Sequence, residues 1–287
     1  MKQLLCEVLK GGLLTTIQDL GRIGFRRFGV PVSGVMDQPS AVLAQKLVGN
    51  PTHFPLLEIT QTGPELSFKR YGALAITGAE ISPSLNGVRI PNDETIFFSK
   101  GDRLTFGPLR SGVRAYLSFA GELQAEELFQ SVSTHLGNQW GGLNGKALRV
   151  GDQLHINPGT NNIRPQRLTK TVNECRSVRV MRSMEFDGLE ASDKERLFSQ
   201  DWVISSESNR TGIRLKGTPL SSRLPEMISG PTDIGIMQLP PSGQPIILMN
   251  DSAAIGGYPR ICAVLQEDIP ILVQKPPEAS IRFQLVE

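Results

Sequence analysis
One spaced pattern of arginine, glycine, proline and serine occurs twice in this chain. Residues 22–33 read RIGFRRFGVPVS and residues 210–221 read RTGIRLKGTPLS, so Arg, Gly, Arg, Gly, Pro and Ser recur at identical spacing. Glycine admits a turn or a close approach that a side chain would block, and proline fixes the entry to the next segment. The repetition predicts one local backbone shape used twice. Two copies so far apart do not make a solenoid and point instead to two similar lobes.

A chain of 287 residues is long enough for two domains with sizeable cores. The division is expected as residues 1–160 and 161–287, with the stretch 157–174 as linker and strands free to exchange between lobes. The 29 glycines and 20 prolines call for many turns and therefore many short strands, against a helical bundle. A formal net charge of +2 gives no basic footprint for nucleic acid. The small cluster Arg22, Arg26 and Arg27 reads as a local anion or structural site. No apolar run approaches a membrane span, and MKQLLCEVLKGG does not make a signal peptide, so a cytoplasmic location is expected. Cys6, Cys175 and Cys262, like His53, His135 and His155, lie far apart without ligand spacing, and no metal site is expected.

The clearest helix follows the first copy of the pattern. Asp37 is an N-cap, Pro39 fits the first turn, and Gly49 stands where a C-cap residue belongs, before Asn50-Pro51. Strands are expected over 56–61, 65–69, 74–77, 95–98, 103–106 and 114–119. Asn86-Gly87 marks a hairpin. Residues 122–130 read as a short helix, and Ser192 with Glu195 as a capping box for another through Ser199. Strands over 177–181, 236–239, 246–249, 261–265 and 280–285 follow. The pattern is all-β with a few short helices, in two closed or partly closed barrels.

Familiar short signatures are missing: no GxxxxGK[ST], no GxGxxG after a strand, no GxSxG and no HExxH. No Ala-Met-Lys-Met stretch is present, so no covalently attached biotin is expected on this chain. Other stretches are distinctive: LTTIQDLGRIG at 14–24, GVPVSGVMD at 29–37, LVGNP at 47–51, LEITQTGP at 57–64 and ITGA at 76–79. SNRTGIRLKG at 208–217, QLPPSGQPI at 238–246 and GGYP at 256–259 continue the series. Through them the sequence resembles, over nearly its whole length, the family formed by the C-type subunits of 5-oxoprolinase, the KipA-type proteins and the carboxyltransferase half of urea carboxylase. The resemblance implies a mainly β fold of two cyclophilin-like β-barrel lobes with a few short helices. It implies one component of an ATP-dependent 5-oxoprolinase that converts 5-oxo-L-proline to L-glutamate, with the site in or near the inter-lobe cleft and no nucleotide site assigned. The implied partners are a B-type oxoprolinase subunit, or KipI-type protein, and a third oxoprolinase subunit. Two alternatives stand beside it: a non-catalytic regulator of a KipI-type partner, and a biotin-dependent carboxyltransferase acting on urea or a related amide.

Four segments depart from the family pattern: Ser183-Met184-Glu185, Ser229-Gly230-Pro231, Asp251-Ser252-Ala253-Ala254-Ile255 and Pro277-Glu278-Ala279. Among candidate site residues, Glu58 and Thr60 alternate with Leu57 and Ile59, which gives their strand one polar face. Glu58 suits a proton acceptor, and a solvated sheet face accounts for the same pattern. Asp251, at a strand end, is the second catalytic candidate. Arg22, Arg26, Arg210 and Arg214 are candidates for a carboxylate or phosphate, which guanidinium binds bidentately, and a structural role pinning the turns is the competing reading for each. Ser33 precedes a helix start, where amides favour an anion. Gln238 and Gln244 suit an amide substrate, and Tyr258 completes the set. No nucleophile is distinguished.

Overall fold
Short apolar runs cut by glycine, proline and asparagine turns fold into strands along most of the chain. The computed structural model describes residues 2–159, 163–168, 177–221 and 227–286. Among them the α-helices are Gln38–Leu47 (α1), Ala191–Ser199 (α2) and Ile269–Val273 (α3). The linker expected over 157–174 lies partly outside the described residues, as does Cys175. Two compact units form: residues 1–22 with 33–171, and residues 23–32 with 172–287.

The first unit is a pair of sheets. One has five antiparallel strands in the order Leu14–Gln18, Leu56–Thr60, Ser111–Phe119, Gly72–Glu80, Thr95–Phe98. The other has seven and runs from Gly121–Leu123 through Gln153–Pro158, Gln3–Lys10, Glu65–Phe68, Arg103–Phe106 and Pro83–Leu85 to Val88–Arg89. Leu57, Ile59, Ile76 and Leu117 of the first share one core with Leu5, Leu66, Leu104 and Leu154 of the second. Phe68 stacks on Phe98 with centroids 3.8 Å apart. On the opposite face of the five-stranded sheet, Ala41 and Ala44 of α1 pack on Leu56 and Tyr116. The face carrying Glu58 is therefore covered, not solvated.

This architecture corrects the expectation of two cyclophilin-like barrel lobes. A barrel needs its first and last strands to pair, and the seven-stranded sheet ends instead on the very short Gly121–Leu123 and Val88–Arg89. Its apolar face is buried against a second sheet. In the second unit, seven strands close on themselves in the order Ser177–Arg182, Arg260–Val264, Ile236–Gln238, Ile246–Leu248, Gly212–Lys216, Trp202–Ile204, Ser280–Leu285. Closure comes from the parallel pairing of Ser280–Leu285 with Ser177–Arg182.

Local signals place α1 well. The Asp37 carboxylate accepts from Ser40 N at 3.0 Å and from Ser40 Oγ at 2.6 Å, and Asn86 and Gly87 both take positive φ, as a tight hairpin requires. Two helix readings need correction. Residues 121–123 pair as a strand with Gln153–Pro158, and Phe129 and Gln130 are left-handed, so no helix forms there. Ser192 lies inside α2, whose boundary residue is the extended Glu190 with no side-chain cap.

The repeated pattern is not one backbone shape. In the first copy Gly24 and Gly29 are left-handed and flank the 3-10 turn Arg26–Phe28. In the second copy Gly212–Lys216 is a strand. A Cβ on Gly212 would come within 2.9 Å of Ile246 Cγ2, and one on Gly217 within 2.9 Å of the Trp202 ring. The same residue type serves conformation in one copy and close packing in the other.

Backbone geometry and ion pairing each set a measurable stability. A Cβ at Gly34, where φ is +81°, would lie 2.8 Å from the Leu20–Gly21 backbone, whereas Gly49, at φ +70°, faces open space. Gly34→Ala should cost about 3 kcal/mol or more and Gly49→Ala about 1–2 kcal/mol; equal urea midpoints would contradict this. Hydrogen bonds from Arg179 hold the Asp268 carboxyl below its ordinary pKa, against the opposing effect of burial, and Arg260 does the same for Glu185. The folded state therefore binds fewer protons. The stabilisation is complete above the ordinary carboxylate range of about 4 and is lost as pH falls through that range to the depressed folded values. Asp268→Asn should be less stable than wild type at about pH 7, with the gap closing towards about pH 3; a gap constant across thermal scans would refute the linkage.

Candidate functional site
Polar side chains in the first unit are drawn into its interior. Glu58 is 1 % exposed, and its Oε2 accepts from Met36 N at 2.8 Å and from the Tyr116 hydroxyl at 2.9 Å. That hydroxyl in turn accepts from Asp37 N at 2.7 Å. Burial first, then the charges of Glu58 and Asp37, push the Tyr116 phenol well above its usual range, so it stays protonated and donates to Glu58. Glu58 thus ties its strand to the chain entering α1. Thr60, on the same strand, is opposite Arg114. Ser33 is buried with φ 56°, and Gly34 beside it packs on the Leu20–Gly21 backbone.

Arg22 is also interior. Its Nη2 donates to Ser133 O at 2.6 Å, and the loop leaves room for it at Gly141, where a Cβ would come within 2.9 Å of the guanidinium. Asp19 sets that loop, accepting from Ser131 Oγ at 2.6 Å and from Val132 N at 2.8 Å.

In the second unit Arg210 and Asp251 form a buried bidentate pair, Nε–Oδ2 at 2.9 Å and Nη2–Oδ1 at 3.0 Å. Asp251 is thereby held as the counter-ion of Arg210. Arg26 donates through Nε to Thr232 O at 2.8 Å and through Nη2 to Ala253 O at 3.0 Å and Ser252 Oγ at 3.2 Å. Burial lowers its pKa and the nearby Asp233 opposes that shift. Arg26 therefore anchors to Ser252 and Ala253 of the segment 251–255. Gln238 donates to Tyr258 O at 3.3 Å.

Arg214, Gln244 and Tyr258 come together around one groove of about 320 Å³, with Ser205, Glu207, Lys216 and Ser242. Alternation along Gly212–Lys216 buries Ile213 and Leu215 and turns Arg214 and Lys216 outward together. Gln244 braces the groove: its amide accepts from Gly217 N at 3.0 Å and donates to Gly217 O at 2.9 Å. Among the described residues, Arg214, Lys216 and Glu207 form no ion pair. The sequence reading missed Lys216, Glu207, Ser205 and Ser242. The alternation Arg214-x-Lys216 beside buried aliphatics was the signal available for Lys216. Among the described residues no group of His, Cys, Asp and Glu is arranged to hold a metal ion, and no helix is long and apolar enough to cross a membrane.

The family model described as carboxyltransferase domain, subdomain A and B, matches residues 28–285. The C-type subunit of 5-oxoprolinase from Escherichia coli (strain K12) is 34% identical over 278 residues, covering 96% of this chain and 90% of that protein. The crystal structure of TTHA0988 superposes with a TM-score of 0.87 at 30% identity, over 98% of this chain and 55% of that one. That of the K. lactis urea amidolyase gives a TM-score of 0.90 at 29% identity, over 100% of this chain and 19% of that one. This chain therefore spans little more than half of the first crystallised chain and a small part of the second.

The interior position of Glu58 yields a test. Glu58→Ala leaves a buried N–H and a buried hydroxyl without their acceptor, at about 1–3 kcal/mol each. The variant should unfold at clearly lower urea concentration, with Glu58→Gln between it and wild type. An unchanged midpoint would show that the carboxylate carries no structural load.

Proposed function
The chain belongs to the family of carboxyltransferase domains built from subdomains A and B, and from that premise we propose that it is one component of an ATP-dependent 5-oxoprolinase. In this reading it acts with a B-type oxoprolinase subunit, or KipI-type protein, and a third subunit to open 5-oxo-L-proline to L-glutamate. The observation that carries the proposal is the similarity to the E. coli 5-oxoprolinase component across 96% of this chain and 90% of that protein. The urea amidolyase likeness, by contrast, covers 19% of a much longer chain.

The chemistry of the groove agrees with this reading. Opening a lactam places negative charge on the carbonyl oxygen in the transition state and creates a second carboxylate in the product. Fixed cations outside the core stabilise both. Arg214 and Lys216 supply such charge in the second unit. ATP belongs to the proposed reaction, and no residue of this chain is assigned to it.

One observation favours a second reading, a regulator that binds a KipI-type partner without turnover. The segment 251–255 reads in the sequence as a departure from the family pattern, and its acid, Asp251, is already bound by Arg210.

Phosphate release from ATP by the affinity-purified native complex separates the two. The oxoprolinase reading expects a rate that depends on added 5-oxo-L-proline. A partner that copurifies with no substrate-dependent rate would reject it in favour of the regulator.

A further inference from the structure
We infer that the groove of the second unit is a subsite for a small α-amino dicarboxylate, the chemical class of the ring-opened product. The ligand's identity rests on the oxoprolinase reading, whereas the charge pattern that recognises it does not. Two cations and one carboxylate line the groove: Arg214, Lys216 and Glu207. Their signs complement two carboxylates and one ammonium. A lactam acid, with one carboxylate and a neutral ring, satisfies only one of the cations.

The backbone that carries the cations is ordered. Arg214 and Lys216 stand two residues apart on one strand face, about 7 Å along the strand, while Ile213 and Leu215 fix the other face in the core. The backbone around them is pinned at both ends. Arg214 N donates to Ser208 Oγ at 3.1 Å and Arg214 O accepts from Ser205 N at 2.8 Å. Gln244 holds both backbone groups of Gly217. A ligand that meets a strand already ordered loses little affinity to ordering it.

Many arginines of this unit, though not all of its charged residues, are already paired. Arg179, Arg196, Arg210, Arg260 and Arg282 each pair with an acid, respectively Asp268, Asp193, Asp251, Glu185 and Asp201. Arg214, Lys216 and Glu207 share a groove without pairing among the described residues, which leaves three formal charges for a ligand to satisfy. Ser242 and the partly exposed Tyr258 add hydroxyls to the lining. A volume of about 320 Å³ lies at the small end of the range for ligand sites, about 300–1,000 Å³, as a metabolite of this size requires.

Isothermal titration of the full chain with L-glutamate, glutarate, 5-oxo-L-proline and inorganic phosphate tests the inference. L-Glutamate should bind at least about tenfold more tightly than 5-oxo-L-proline. Arg214→Ala and Lys216→Ala should each weaken it about tenfold or more, with unchanged circular dichroism. Glu207→Gln should weaken L-glutamate and leave glutarate, which lacks the ammonium, unaffected. Three outcomes overturn the assignment: no binding of L-glutamate, equal loss of glutamate and glutarate in Glu207→Gln, or preference for phosphate. Because the titration needs neither ATP nor a partner, it can fail while substrate-dependent turnover stands, and the reverse.

Discussion
The strand Gly212–Lys216 has two faces, and the chemistry proposed for the second unit depends on keeping them apart. Inward, Ile213 and Leu215 are buried, each contributing on the order of 1.5–3 kcal/mol. Outward, Arg214 and Lys216 reach the groove. A slip of one residue would exchange the faces, driving both cations into the core. Register is therefore fixed by the same burial that closes the barrel. The glycines at either end allow Ile246 and the Trp202 ring to approach closely, and Gln244 locks the C-terminal end through Gly217. Site geometry and barrel stability are one property.

In the first unit, polarity is put to a different use. Arg22, Asp37 and Glu58 are buried side chains that would suit catalysis if exposed, yet each is bound to backbone or to a neighbouring hydroxyl. Taking such groups out of water is unfavourable unless hydrogen bonds replace those to solvent. Here the bonds fix loops that no regular ladder reaches: Arg22 on the chain around Ser133, Glu58 on the chain at Met36. These residues position backbone in the first unit, and the accessible charges of the proposed site belong to the second.

The parts of this architecture that could be read in the sequence were those written locally. The cap at Asp37, the left-handed Asn86-Gly87 pair and the alternation at 57–60 are each decided by a few adjacent residues. Closure of a sheet is not so decided. Nothing within the strand Val88–Arg89 reports that its outer edge stays unpaired. The repeated pattern misled for a related reason: Gly24 is needed for its positive φ and Gly212 for its missing Cβ, and a string of letters does not separate the two. Gln244 suits an amide substrate by its chemistry, and the sequence does not show that its amide also binds the backbone of Gly217. Asp251 looked like an acid at a strand end, and the partner that occupies it, Arg210, is forty-one positions away.

The most direct test is formation of L-glutamate from 5-oxo-L-proline by the reconstituted complex, measured with the wild-type chain and with the Arg214→Ala, Lys216→Ala double variant. Product is expected from the wild-type complex, and a rate at least about tenfold lower from the double variant, with assembly and circular dichroism unchanged. Equal rates would remove the groove from the reaction, and no product from a fully assembled wild-type complex would contradict the assignment itself.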